Sequence, residues 1–202
     1  MLRLFINQEE VSPFVSSIDS YLKATNPDVK DYVRTDDGYQ GYKVRWLCTF
    51  DNIESLRVDY SEQSDFATYQ SESVDPSESS CSLWNLKKAS TYYVRLVGKV
   101  GEEEKTSEVA TLKTASYGPR VMKIDGIHNV RDVGGYQTPS GRTVQGKMFR
   151  GGALSPSTDK AYTNINLSEK GKKYMSETLG IKTDFDLRSQ AENRAPDTPI
   201  ES

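Results

Sequence analysis

Alternation of apolar and polar side chains with a period of two residues runs through the region from about Asn26 to Ala115. The alternating segments are short, and Asp-Gly, Asp-Asn, Asp-Pro and Val-Gly pairs, which are typical of turns, separate them. Several short strands at this spacing favour an antiparallel β-sandwich. The side chains that we expect on the buried faces are Val44, Trp46, Cys48 and Phe50 of one strand, Leu56, Val58 and Tyr60 of another, and Tyr92, Val94 and Leu96 of a third.

Three features make residues 26–117 resemble a fibronectin type III domain. Trp46 lies in the second predicted strand, a final strand is predicted at 108–114, and the segment 86–92 matches the family's corner, in which a leucine precedes a tyrosine by six residues. The resemblance implies structural roles for Trp46 and Tyr92. A tyrosine at such a corner buries its ring and returns its hydroxyl to nearby backbone.

Residues 1–25 are predicted to be a helical segment that docks on one of the domains. Ser12 followed by Pro13 is a helix-start signal. The apolar residues that recur after it at helical spacing are Phe14, Val15, Ile18, Tyr21 and Leu22.

The composition changes after 117–120, where a Gly-Pro pair is predicted to end the sandwich. Two strands are predicted at 135–138 and 143–150, joined by a tight turn at 139–142. A helix is predicted at 167–179, with Ser168 as its N-cap and Gly180 as its stop. A buried parallel strand is predicted to follow at 181–187. Such a strand needs cover on both sides, and we expect the remainder of the same protein to supply it.

Three motifs in this second region carry a further resemblance. They are Asn129-Val130-Arg131-Asp132-Val133-Gly134-Gly135-Tyr136, then Phe149-Arg150-Gly151-Gly152-Ala153-Leu154, then the run 179–189, which ends in Asp186-Leu187-Arg188-Ser189. Their order and spacing resemble the bacterial tyrosine phosphatase family of the dual-specificity type. The resemblance implies a multidomain chain in which residues 118–202 are the N-terminal part of an α/β cysteine-phosphatase fold. The chain departs from the family at Gly151, where Ser is usual, and in a longer insert at 155–166.

The catalytic signature of that family, H-C-x-x-G-x-D-R-T-G, does not occur in the 202 residues. Cysteine-dependent hydrolysis needs a low-pKa thiolate and a loop of N–H groups with an Arg to hold the phosphoryl oxygens. The only cysteines are Cys48 and Cys81, and Glu54 and Lys87 stand where the loop Arg would follow them. We therefore expect a parent phosphatase whose nucleophile lies beyond Ser202, and an inactive chain without that C-terminal remainder.

Cys48 and Cys81 are instead expected to face inward on neighbouring strands. Two buried free thiols, which behave as small apolar groups, are favoured over a disulfide, because a cross-strand disulfide needs particular geometry.

Asp186 is the catalytic candidate. It ends the predicted strand 181–187, and ligands bind at the carboxyl ends of such strands. By resemblance it serves as general acid or orients catalytic groups. The alternative is that Asp186 caps a turn and pairs with Arg188. Asp184 is a weaker candidate on the same face.

Arg150, Arg131 and Arg188 are the substrate-binding candidates, because a guanidinium fork fits phosphate oxygens in two-point contact. For Arg131 a role in folding is the favoured alternative. Structural roles are also predicted for the other members of its motif, Asn129, Asp132, Gly134 and Gly135, which bond loop backbone and allow tight turns.

Composition limits the other classes of function. A net charge of -3 gives no electrostatic case for nucleic-acid binding, and no apolar run is long enough for a transmembrane segment. The single histidine, His128, is poor support for a metal site, and no cofactor is predicted. The expected substrate is a phosphorylated protein or other phosphomonoester. A non-catalytic binding or adhesion module is the alternative, and an extracytoplasmic location is favoured over the cytoplasm.

Overall fold

The computed structural model describes residues 1–6, 23–26, 28, 41–116, 120–154 and 167–187. The chain divides into two compact units, Met1–Gly118 and Pro119–Ser202. Among the described residues no helix is both long and apolar enough to span a membrane.

The first unit contains two antiparallel sheets. One has the order β1-β2-β5 and consists of β1 (Leu2–Phe5), β2 (Tyr42–Cys48) and β5 (Ser80–Leu83). The other has the order β4-β3-β6-β7, and its fifth strand, β8, also pairs with β6. Its strands are β3 (Ser55–Ser61), β4 (Gln70–Val74), β6 (Thr91–Val100), β7 (Glu103–Thr106) and β8 (Ala110–Lys113).

Both sheets contribute side chains to one apolar core. Successive residues of a strand point to opposite faces, so every second residue of a strand faces the core. The predicted alternation is confirmed, with Cys48 and Phe50 only partly buried at the edge of this core. The buried members are Leu2, Val44, Trp46 and Leu83 from the first sheet, Leu56, Val58, Tyr60, Tyr92, Val94, Leu96 and Leu112 from the second, and Leu86 between them.

The corner before β6 has the geometry that its motif predicts. The Tyr92 ring is buried, and its hydroxyl oxygen accepts a hydrogen bond from the backbone N–H of Lys87 at 3.0 Å. The same hydroxyl donates to Glu62 at 3.3 Å. Tyr92 thereby ties the chain between β5 and β6 to the core.

The first residues of the chain correct one prediction. Leu2–Phe5 form a strand, with Leu2 opposite Cys48 and Phe5 opposite Arg45, so the predicted helical segment 1–25 does not extend to them. Leu2 is buried and Leu4 packs against the core, which explains why this apolar start joins the sheet. The predicted apolar stripe 14–22 lies outside the described residues.

The second unit is built on a three-stranded antiparallel sheet of order β13-β10-β9, made of β9 (Arg120–Ile124), β10 (Ile127–Asp132) and β13 (Phe149–Arg150). A small hairpin of β11 (Gln137–Thr138) and β12 (Gly141–Arg142) interrupts it, so the predicted strands at 135–138 and 143–150 are shorter than expected. The apolar side chains of one face pack with those of the following helix. The buried members are Met122, Ile124, Ile127, Val130, Leu167 and Met175.

Asp132 is fully buried at the end of β10 and organises this unit. Its carboxylate accepts from the Arg120 guanidinium at 2.7 Å and from the backbone N–H groups of Gly134 at 2.8 Å and Gly146 at 2.7 Å. Three donors, one from β9 and two from the loop that follows β10, therefore meet at one side chain. A buried charge is stable only when it is paired and hydrogen-bonded in this way.

The helix after the insert begins and ends where the sequence predicts. Helix α1 (Glu169–Lys173) continues as a π-helical turn (Tyr174–Thr178), and Ser168 caps it by accepting from Gly171 N–H at 3.0 Å. Gly180 has φ +66°, the left-handed conformation of a helix stop.

The predicted buried strand 181–187 is wrong for this chain. Residues 182–187 are exposed and form no strand, with Phe185 82% and Leu187 95% exposed. A strand needs a neighbour for its backbone groups. Here Ile181 N–H donates back to Met175 O at 2.9 Å and completes the helix end instead.

Replacing Tyr92 by phenylalanine should lower the free energy of unfolding of the first unit by about 1–2 kcal/mol, because the Lys87 N–H loses its acceptor. Urea unfolding followed by the fluorescence of Trp46 and Trp84 measures this. Tyr93→Phe, on the next residue of the same strand, is the matched control and should change stability much less. Equal stability of Y92F and wild type would contradict the role of the corner.

Replacing Asp132 by asparagine should destabilise the second unit by about 3–5 kcal/mol, because Arg120 keeps a buried charge without its partner and the new amide N–H₂ opposes donors. Hydrogen exchange of peptides from β9 and β10 reports this locally. The exposed Asp184→Asn is the control. Unchanged protection in D132N would show that the ion pair does not hold the sheet.

Candidate functional site

Two of the predicted substrate-binding residues lie directly opposite each other. Arg131 on β10 is the register partner of Arg150 on β13. Because paired residues in an antiparallel sheet point to the same face, their guanidinium groups share one side of it. Asp132, one position along β10, faces the opposite, buried side.

Exposure distinguishes the two arginines. Arg150 is exposed, whereas Arg131 is half-buried and its Nε atom is shielded from solvent without an acceptor among the described residues. Within the described ranges, neither side chain forms an ion pair with a carboxylate. The third predicted substrate-binding residue, Arg188, lies outside the described residues.

The four residues predicted to be structural lie at the end of β10 and in the loop that follows. Asn129 has φ +62°, at the irregularity in the pairing of β10 with β9. Gly134 leaves no room for a side chain, since a Cβ there would lie 1.9 Å from Val144 O. Gly135, at φ +80°, donates its N–H to Thr143 O at 3.0 Å. With the Asp132 contacts, these features fix the loop that leaves β10.

Asp186, the catalytic candidate, is exposed and lies outside any strand. Its predicted place at the end of a central strand is therefore wrong in this chain, for the reason given above for 181–187. Asp184 is exposed in the same segment. The structure does not bring either carboxylate to the strand position from which the role of Asp186 was argued.

The cysteines belong to the first unit. Cys81 on β5 lies opposite Val44 on β2, so the two cysteine-bearing strands are neighbours as predicted, and both thiols are free and half-buried. Burial raises the pKa of Cys81 to about 12, with Glu72 and Glu78 adding to the effect. A nucleophilic cysteine needs the opposite shift.

Metal binding has no support among the described residues, where no three His, Cys, Asp or Glu side chains cluster. His128 lies exposed on β10, and its carbonyl oxygen accepts from Gly152 N–H at 3.2 Å.

Sequence reasoning missed two residues that position the site. Arg120 is the buried partner of Asp132, and Asp125 binds the Ser168 hydroxyl and so joins the β9–β10 turn to the start of α1. An arginine in an otherwise alternating apolar strand, Arg120-Val121-Met122-Lys123-Ile124, is a signal that a buried carboxylate must be near. Its partner could not be identified without the register.

Cys81 should react slowly with iodoacetamide at pH 8, because the thiolate is the reactive form and its raised pKa keeps the thiol protonated. The rate should increase with pH until the pH approaches about 12. A Cys48→Ser chain isolates this thiol, and mass spectrometry measures its labelling. In urea, where the pKa returns to about 8.5, labelling should be fast. Fast labelling of the folded chain at pH 8 would contradict the shielding.

Comparison with known proteins identifies a family that the second unit resembles. No curated protein matches the chain. Residues 122–202 match the model of the tyrosine phosphatase family. The match covers less than half of the chain, and it includes β10, the Arg131–Arg150 pair and the segment of Asp186. The second unit is thus similar to tyrosine phosphatases, a similarity that suggests phosphatase function.

Proposed function

We propose that residues 118–202 are the N-terminal part of a cysteine-dependent phosphatase domain of the dual-specificity type, which hydrolyses phosphomonoesters. The observation that carries the proposal is the family match over 122–202. The three motifs that suggested this family from sequence all lie inside the matched range.

The proposed reaction has two steps. A cysteine thiolate attacks phosphorus, an S–P bond forms, and the P–O bond to the leaving group breaks while a general acid protonates that oxygen. Water then attacks phosphorus, the S–P bond breaks, and inorganic phosphate leaves. The chain contains no Cys-x₅-Arg sequence, so in this proposal the nucleophile and its loop follow Ser202 and the chain alone is inactive.

Residues of this chain would then bind substrate and assist the leaving group. Asp186 is the proposed general acid, from its place in the motif Asp186-Leu187-Arg188-Ser189. Arg131 and Arg150 are proposed to hold phosphate oxygens, supported by their position on one face of the sheet. Arg188 is proposed for the same task from its motif.

The first unit is proposed to be a fibronectin type III-like module, at 26–117, that targets or spaces the phosphatase domain. The strand orders β1-β2-β5 and β4-β3-β6-β7 and the hydrogen bond from Lys87 N–H to Tyr92 support this proposal. The proposed partners are a phosphorylated protein or other phosphomonoester and the C-terminal remainder of the same protein.

A non-catalytic binding or adhesion module is the second candidate. The absence of a Cys-x₅-Arg sequence from these residues favours it. The gene sequence after Ser202 discriminates the two candidates, because only the phosphatase needs this sequence there.

The test is hydrolysis of p-nitrophenyl phosphate by the 202-residue chain and by a chain extended through the segment encoded after Ser202. We expect no turnover by the first and orthovanadate-sensitive turnover by the second. In the extended chain, Asp186→Asn should lower kcat by about 10²–10⁴-fold and remove the basic limb of the pH profile, because the general acid is lost.

Glu177→Gln, an exposed change on the preceding helical turn, is the control and should keep full activity. Intact mass measured under denaturing conditions establishes whether a second polypeptide accompanies the chain. Vanadate-sensitive hydrolysis by the 202 residues alone, free of any such polypeptide, would contradict the proposed mechanism.

A further inference from the structure

Two side chains of like charge face each other across β10 and β13. Arg131 and Arg150 are register partners, so their Cβ atoms lie about 4.5–5.5 Å apart on one face of the sheet. Like charges directly opposite each other destabilise a sheet. The pair therefore lowers the stability of this sheet unless an anion lies between the two guanidinium groups.

The described part of the chain supplies no such anion. The carboxylate closest in sequence, Asp132, faces the buried side and is occupied by Arg120, Gly134 and Gly146. The Nε atom of Arg131 is buried and has no acceptor within the described ranges. A buried donor without an acceptor is rare in folded proteins and calls for a physical explanation.

The surroundings of the pair are apolar and open. Val121 is the partner of Arg131 on the other side, on β9. Two positions along from the arginine pair, Val133 N–H bonds Met148 O at 2.9 Å, and these two apolar side chains are 43% and 69% exposed. These neighbours carry no charge, so none of them competes with an anion for the guanidinium groups.

We infer that Arg131 and Arg150 form a binding site for a tetrahedral oxyanion of the phosphate class that works on this chain alone. Guanidinium groups bond phosphate oxygens in two-point contacts. A dianion between them removes the repulsion, and the terminal N–H groups of the two guanidinium groups are the donors that it would bind. The inference rests on the proposed function for the choice of phosphate, and it needs neither the nucleophile nor Asp186.

The test titrates inorganic phosphate into the 202-residue chain at constant ionic strength. Phosphorus NMR gives the Kd, and hydrogen exchange of peptides from β9, β10 and β13 locates the site. At five times the Kd, exchange of these peptides should slow about sixfold, because only the folded sheet binds the ion. Acetate at the same concentration should have little effect.

Variants separate the pair from other cations. R131Q and R150Q should lose the phosphate response, whereas Lys147→Gln, an exposed change near β13, should keep it. R150E places opposite charges across the two strands. Without phosphate, hydrogen exchange of the β10 and β13 peptides should therefore be slower than in wild type, and added phosphate should not slow it further.

Three results would overturn the inference. They are an undiminished phosphate response in both R131Q and R150Q, faster exchange in R150E than in wild type, and equal protection by acetate. Each measures binding and none measures hydrolysis. Failure here would remove Arg131 and Arg150 from the proposed substrate-binding residues, whereas the proposed nucleophile and general acid are tested by the hydrolysis experiment alone. Failure of the hydrolysis test leaves the oxyanion site standing.

Discussion

The second unit depends on the buried carboxylate of Asp132. Its three acceptor contacts join β9 through Arg120, the start of the loop through Gly134 and the end of that loop through Gly146. Removing two charges from water is costly, so the arrangement is stable only because both are paired and bonded. The same contacts use the Asp132 carboxylate for structure, and the next residue, Arg131, lies on the opposite face with no acceptor for its Nε atom among the described residues.

The first unit buries a carboxylate too, but on the outer side of its second sheet. Asp59 is fully buried and accepts from Ser71 at 2.7 Å, from Arg57 at 3.0 Å and from Arg95 at 3.3 Å. The Arg95 guanidinium also lies 4.2 Å from the centre of the Phe66 ring, a cation–π contact that covers the charge pair. Here each arginine has a carboxylate. The comparison makes the Arg131–Arg150 pair stand out, because Arg57 and Arg95 of the first unit each pair with the buried carboxylate of Asp59.

Local sequence rules predicted the parts of the fold that local interactions decide. Alternation located the core strands, the corner motif located the Tyr92 hydrogen bond, and Ser168 and Gly180 marked the helix ends. The rules failed where the outcome depends on a distant neighbour. The segment 181–187 has strand-like residues but pairs with no strand in the described part of the chain. The Arg120–Asp132 pair depends on a register that no local pattern contains.

The same distinction applies to the candidate site. A motif can indicate that Arg131 and Arg150 occur near a phosphate, but only the register shows that they are cross-strand partners. Binding and chemistry are then separate questions for this chain. The cations lie in the second unit, whereas the only thiols lie in the first, where burial raises the pKa of Cys81 to about 12. Positive charge can hold a phosphate, yet attack on phosphorus requires a thiolate at neutral pH. In the proposal made above, Arg131 and Arg150 hold the anion, and these two cysteines do not supply the group that attacks it.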